Sequence, residues 1–390
     1  MIPYGRHYID EDDIAAVSAV LRGGNLTQGP AIEEFERAVC ERVGAKYAVA
    51  VASCTAGLHL AAIAAGVEPG KALVTSPITF VASANAGLYA GGDVAFADID
   101  AGTGNLSPAR LREVLRRTPG ARAVVAVHFA GLPCDMPAIR AAADQAGATV
   151  IEDAAHALGA RYADGSPVGG CKHSLMTVFS FHPVKLIAAG EGGLITTNDE
   201  SVYRRLLRLR SHGINKAGDT FQLLEQAGEN GTPFPWYYEM QELGFHYRIT
   251  DIQCSLALSQ LRKLDRFLAR RRQLVAAYDA AFAGMRHFRP AQSAGRDRSG
   301  HHLYVLRIDF EAASTSRSRV MNDLRARGVG SQVHYIPVPA QPYYRRLGFD
   351  PKDYPEADKY YRQALSIPLF FGLSDEQQQL VITSVRELLT

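Results

Sequence analysis

Between positions 45 and 260 short apolar runs alternate with stretches rich in small and aliphatic residues. The runs at 47–52, 72–76, 93–98, 121–128, 148–153 and 192–197 are apolar almost throughout, not at every second position. Helical segments at 55–66, 80–89, 136–146 and 200–212 separate most of them. Continuous apolar strands alternating with helices predict an α/β fold, a mostly parallel central sheet covered on both faces. From 215 to 244 the pattern dissolves into Gly, Pro and aromatic residues, among them Gly231-Thr-Pro-Phe-Pro-Trp-Tyr-Tyr. A structureless stretch of that length predicts a functional loop at an interface or active site. A single long helix is expected over 252–282, then strands at 302–310 and 330–335 and helices at 317–327 and 375–389. The chain divides on this pattern into a large domain, 1–255, and a smaller C-terminal α+β domain, 256–390, entered by the long helix.

Composition narrows the class. Of the 390 residues 47% are hydrophobic and 21% charged, and the formal net charge is +2. That balance suits a globular enzyme and offers no bulk attraction for nucleic acid or an anionic membrane. No apolar run reaches the ~18 residues of a membrane span. Five scattered cysteines (40, 54, 134, 171, 254) with no C-x-x-C pattern point to reduced thiols, a cytoplasmic setting and no metal site. The basic runs at 204–210 and 262–272 read as solvated helix faces, with steering of a diphosphate as the alternative.

The chemistry centres on Phe179-Ser-Phe-His-Pro-Val-Lys185, followed by Gly190-Glu-Gly-Gly193. A lysine among apolar residues has its neutral amine favoured, the form that attacks a carbonyl. Upstream, Ala148-Thr-Val-Ile-Glu-Asp153 ends an apolar strand in an acid, where open α/β sheets place ligand chemistry. Together they suggest a Schiff-base lysine and a carboxylate paired with a pyridinium nitrogen, the needs of pyridoxal phosphate. Ala52-Ser-Cys-Thr-Ala-Gly57 lies where a strand turns into a helix, either an anion cradle or a simple N-cap through Ser53 or Thr55. Phe80 is either a ring-stacking aromatic or core, Asp153 either a cofactor partner or a cap, and His156 either a site residue or a core histidine. Cradle, aromatic, acid and lysine nevertheless follow in order along the chain, each at a strand end.

The chain resembles the DegT/StrS family of pyridoxal-phosphate-dependent nucleotide-sugar aminotransferases, of the aspartate-aminotransferase (type I) fold. The likeness runs through Leu26-Thr-Gln-Gly29, Glu152-Asp-Ala-Ala-His-Ala-Leu-Gly159, Phe179 to Gly193, Arg210-Ser-His-Gly213, Gly244-Phe-His-Tyr-Arg248 and Val333-His-Tyr-Ile-Pro337. It is most similar to the UDP-4-keto-6-deoxy-N-acetylhexosamine 4-aminotransferases of pseudaminic acid biosynthesis. The resemblance implies Lys185 as the covalent lysine, Asp153 on the ring nitrogen, Phe80 on the ring face and His156 near the phenolic oxygen. It implies Cys54, Thr55 and Ser180 at the phosphate, and Arg248, His212, His334 and Tyr335 on the substrate side. It further implies a homodimer with shared active sites, L-glutamate as donor and a UDP-linked keto-sugar as acceptor. The family's usual Asn in Gly-Tyr/Phe-Asn-Tyr-Arg, reaching the phosphate from the partner, is His246 here. A dTDP- or GDP-linked sugar and a non-catalytic cofactor-binding regulator are the alternatives. The family's sugar 3-dehydratases carry histidine where this chain has Lys185.

Overall fold

A computed structural model describes residues 1–216, 221–229 and 232–389. Seven strands form the main sheet: β1 Tyr47–Val51, β2 Ala72–Thr75, β3 Asp93–Phe96, β4 Ala121–Val127, β5 Thr149–Asp153, β6 Met176–Ser180 and β7 Gly193–Thr197. Their order is β1-β7-β6-β5-β4-β2-β3, and only β7 runs against the others. Alternate residues feed two cores: Ala48, Ala50, Val124 and Ala126 face one, Val49, Val51, Val125 and Val127 the other. A sheet apolar on both faces must be covered on both, which explains the continuous hydrophobicity of its strands. The carboxyl ends of β4, β5 and β6 come together on one edge, bringing Val127, Asp153 and Ser180 to the same cavity.

The C-terminal part adds a three-stranded antiparallel sheet, Phe288–Pro290, Tyr304–Ile308 and Ala364–Ile367. Several expectations change. The helix expected over 252–282 is two, Asp251–Arg262 and Leu264–Phe282, parted at Lys263. Lys263 closes the first helix by donating its N–H to Gln260, and its ammonium is drawn to Asp10 and, at 2.9 Å, to Asp13. The strand expected at 330–335 is only an isolated bridge between Gln332 and Ser366. Of the loop expected over 215–244, residues 217–220 and 230–231 lie outside the described residues. The rest holds short ladders, including Glu239–Met240 against Ile214–Asn215.

The basic helix Glu200–Arg210 is not simply solvated. Arg204 pairs with Glu200, Arg205 and Arg208 with Glu242, and Arg210 with Glu36 at 2.8 Å. Among the described residues no helix is long and apolar enough to cross a membrane.

Candidate active site

A cavity of about 620 Å³ opens at the carboxyl edge of the sheet. Cys54, Thr55, Phe80, Asp153, His156, Ser180, Lys185, His334 and Tyr335 all line it, although Cys54 and Tyr335 are 281 positions apart in the sequence.

The helix Cys54–Ala64 starts on the cavity wall. Ser53 is its N-cap and accepts from the N–H of Ala56 at 3.1 Å. The capping reading therefore holds for Ser53, while Cys54 and Thr55 occupy the first turn, where unpaired N–H groups and the helix dipole favour an anion. Gly193 packs against that turn. A Cβ on it would lie 2.5 Å from the carbonyl carbon of Ser53 and 2.6 Å from the nitrogen of Cys54. That approach gives the last glycine of Gly190-Glu-Gly-Gly193 a steric reason.

Lys185 lies in the connection between β6 and β7, half-buried and open to the cavity. Leu186 and Ile187 anchor it in the core. Burial pushes the ammonium below its ordinary range, against the opposing influence of Cys54 and Asp153. The neutral amine is thereby made accessible.

Asp153 ends β5 and is buried. Its Oδ1 accepts from the N–H of Ala155 at 3.1 Å, the local cap; its Oδ2 accepts from Ser83 Oγ at 2.6 Å. Its own carbonyl accepts from the N–H of His128 at 3.1 Å. On the other face of β5, the buried carboxylate of Glu152 accepts from His128 Nε2 at 2.7 Å, Thr177 Oγ1 at 3.2 Å, Tyr162 and Ser174. Burial alone would raise the Glu152 carboxyl, but these donors hold it below the ordinary range. The N–H of Cys134 donates to Nδ1 of His128, so the ring's Nε2 carries the proton given to Glu152. This network ties the end of β4 to β5 and to the start of β6 behind Asp153.

Phe80 is 59% exposed at the cavity mouth, which excludes the core reading. His156 is buried, its Nε2 is 3.3 Å from the Tyr335 hydroxyl, and its Nδ1 is buried with no partner. Burial and the charge of Lys185 push His156 well below its ordinary range, and push His334 down to about 4. Both are neutral imidazoles at physiological pH. Thr79, Ser83, Gln332 and Gln341 also surround the site, Thr79 and Ser83 in the stretch around Phe80 and Gln332 directly before Val333-His-Tyr-Ile-Pro337.

His212, His246 and Arg248 lie elsewhere. Arg248 donates to Nε2 of His246 at 3.1 Å, and the rings of His212 and His246 are 5.3 Å apart. Arg248 lines a separate cavity of about 610 Å³ with Glu36, Tyr47, Tyr203 and Arg210. A single chain thus does not bring this trio to Lys185.

The first cavity fits pyridoxal phosphate. It offers a helix start for an anion, a carboxylate for a ring nitrogen, an amine for a carbonyl and a buried imidazole nitrogen lacking the partner that buried polar atoms require. Fold and site define a pyridoxal-phosphate enzyme of the type I aminotransferase class. The model of the DegT/DnrJ/EryC1/StrS aminotransferase family matches residues 7–386, and the chain belongs to that family of pyridoxal-phosphate-dependent sugar aminotransferases. It is 38% identical to the spore coat polysaccharide biosynthesis protein SpsC of Bacillus subtilis, over 99% of this chain and 97% of that protein. Among solved structures it is similar to Helicobacter pylori PseC, an aminotransferase of pseudoaminic acid biosynthesis (TM-score 0.89, 29% identity, 100% of this chain and 99% of that one). It is likewise similar to Spr1654 of Streptococcus pneumoniae in its PMP form (TM-score 0.88, 29% identity, 100% and 99% covered). Membership in an aminotransferase family sets aside the non-catalytic regulator.

Proposed function

We propose that this chain moves the amino group of L-glutamate to C4 of a UDP-4-keto-6-deoxy-N-acetylhexosamine, as a UDP-4-amino-4,6-dideoxy-N-acetyl-β-L-altrosamine transaminase of a pseudaminic-acid-type pathway. The observation that carries it is the meeting of Lys185 and Asp153 in one cavity with Phe80 at its mouth. Similarity to PseC over the whole chain supports the choice of sugar.

Bound pyridoxal phosphate supplies a carbonyl that exchanges amines and a ring that withdraws electrons. Lys185 would hold that carbonyl carbon, and its Nζ would be the group that moves a proton between donor and cofactor carbons. Asp153 keeps the ring nitrogen protonated. Phe80 covers the ring face, and His156 stands at the phenolic oxygen as a neutral imidazole. Cys54, Thr55 and Ser180 hold the phosphate, and His334 and Tyr335 border the sugar. The chain acts as a homodimer, in which His212, His246 and Arg248 complete the partner's cavity. The chain divides into a large domain, 1–255, and a smaller one, 256–390, the boundary falling within the helix Asp251–Arg262. A cytoplasmic setting is supported by five unpaired cysteines.

The higher identity to SpsC favours a second reading, a dTDP- or GDP-linked keto-deoxysugar destined for polysaccharide. Incubation with glutamate and a panel of UDP-, dTDP- and GDP-linked 4-keto-6-deoxysugars, read by mass spectrometry, separates the two. Amination confined to the dTDP or GDP sugars would overturn the first.

A further inference from the structure

Asp153 is 5% exposed, so its carboxylate depends on donors from the protein. Among the described residues the side chain that hydrogen-bonds to it is Ser83, at 2.6 Å, a residue 70 positions earlier in the chain. Ser83 is buried in the helix Val81–Tyr89. Its Oγ also lies 2.7 Å from Thr79 Oγ1. Ser83 has one hydroxyl proton, and an ionised carboxylate has none to give. The direction is therefore set: Thr79 donates to Ser83, and Ser83 donates to Asp153. Thr79 is itself buried and lines the cavity. Phe80 follows Thr79 directly, so one turn of backbone sends an aromatic ring to the cavity mouth and two hydroxyls to the acid.

We propose that Thr79 and Ser83 are positioning residues that fix the proton shared by Asp153 and the cofactor's ring nitrogen on the nitrogen, an inference resting on the reading of Asp153 given above. A hydroxyl donating to a carboxylate makes a short, strong bond. It favours the ionised acid over the protonated one. A second hydroxyl behind the first strengthens it by polarisation. Lys185, the Cys54 thiol and the Tyr335 hydroxyl also act electrostatically on or with Asp153, but none of them is hydrogen-bonded to it. Without Ser83 the acid keeps only its backbone donor from Ala155. The proton then moves toward Asp153 and the ring withdraws electrons less well.

The test uses holoenzyme loaded with pyridoxal phosphate carrying ¹⁵N in the ring, in wild type, S83A, T79V and D153A. The nitrogen chemical shift reports directly where the proton sits. Wild type is expected in the protonated range, S83A displaced toward the unprotonated range, and T79V, which keeps the side-chain shape, displaced less in the same direction. Turnover of S83A should fall about tenfold or more, the usual weight of a charge-assisted hydrogen bond, with cofactor affinity little changed. Should S83A not fold, T79V decides alone. Unchanged shifts in S83A and T79V beside a displaced D153A would overturn the relay and leave Asp153 as ring partner. An unchanged D153A would overturn both.

Discussion

Arg248 donates from Nη2 to Nε2 of His246 across 3.1 Å, leaving Nδ1 of that histidine to carry the ring proton. His246 is exposed, and His212 packs edge-on to it at 5.3 Å. If this trio serves the partner's cavity, activity should be restored across a dimer. Neither K185A nor the H246A/R248A double variant should turn over alone. Their equal mixture, after subunit exchange, should recover about a quarter of wild-type activity, because a random half of the dimers each carry one intact site. Recovery near zero would place the trio outside the partner's chemistry.

Gly193 and the first turn of the helix Cys54–Ala64 are in close backbone approach. G193A places a methyl 2.5 Å from the Ser53 carbonyl carbon, so strand or turn must shift by nearly the missing contact distance. Fluorescence titration of apoprotein with pyridoxal phosphate should show weakened affinity, and the thermal midpoint of the apoprotein should fall too, since overpacking against backbone costs about 1–3 kcal/mol.

Four buried histidines, His156, His301, His302 and His334, are held below the ordinary imidazole value of 6.5 by burial first, with neighbouring cations adding to it. For His301 and His334 the folded-state value is about 4. As pH falls from 6.5, the unfolded chain takes up protons that the folded chain refuses until about 4. Folding stability therefore declines across that window, by about 1.4 kcal/mol per pH unit for each such group. Urea midpoints measured from pH 7 to 4.5 should fall, and H334Q should flatten the slope. A midpoint independent of pH would contradict these burial assignments.

Glu152 collects donors from His128, Tyr162, Ser174 and Thr177. Removing the carboxylate strands all four in the core. E152A should lose several kcal/mol of stability in chemical denaturation, about 1–3 kcal/mol for each buried donor left without an acceptor. E152Q, which keeps one acceptor oxygen, should lose less.

The apolar strands, Lys185, Asp153 and the helix start after Ser53 were legible in the sequence because each rests on local pattern. The reversed direction of β7 was not, since an apolar strand reads the same either way. The break at Lys263 is hidden because helix-forming residues continue through it; a contact with Asp10, 253 positions away, marks it instead. Ser83 escaped for the same reason, its partner lying 70 positions on. The helices Glu11–Arg22, Pro30–Val43 and Pro108–Arg117 do not stand out in the apolar pattern, although Asp10 with Asp13 forms a capping box and Pro30 and Pro108 sit at helix starts. Those signals were present and local. His246 and Arg248 are marked by the motif Gly244-Phe-His-Tyr-Arg248.

The central claim is that Lys185 is the amine that holds pyridoxal phosphate. Reduction of the loaded protein with borohydride, followed by proteolysis and mass spectrometry, tests it most directly. The phosphopyridoxyl mass should appear on the peptide containing Lys185, and K185A should yield no labelled peptide. Label on another lysine, with Lys185 unmodified, would contradict the account.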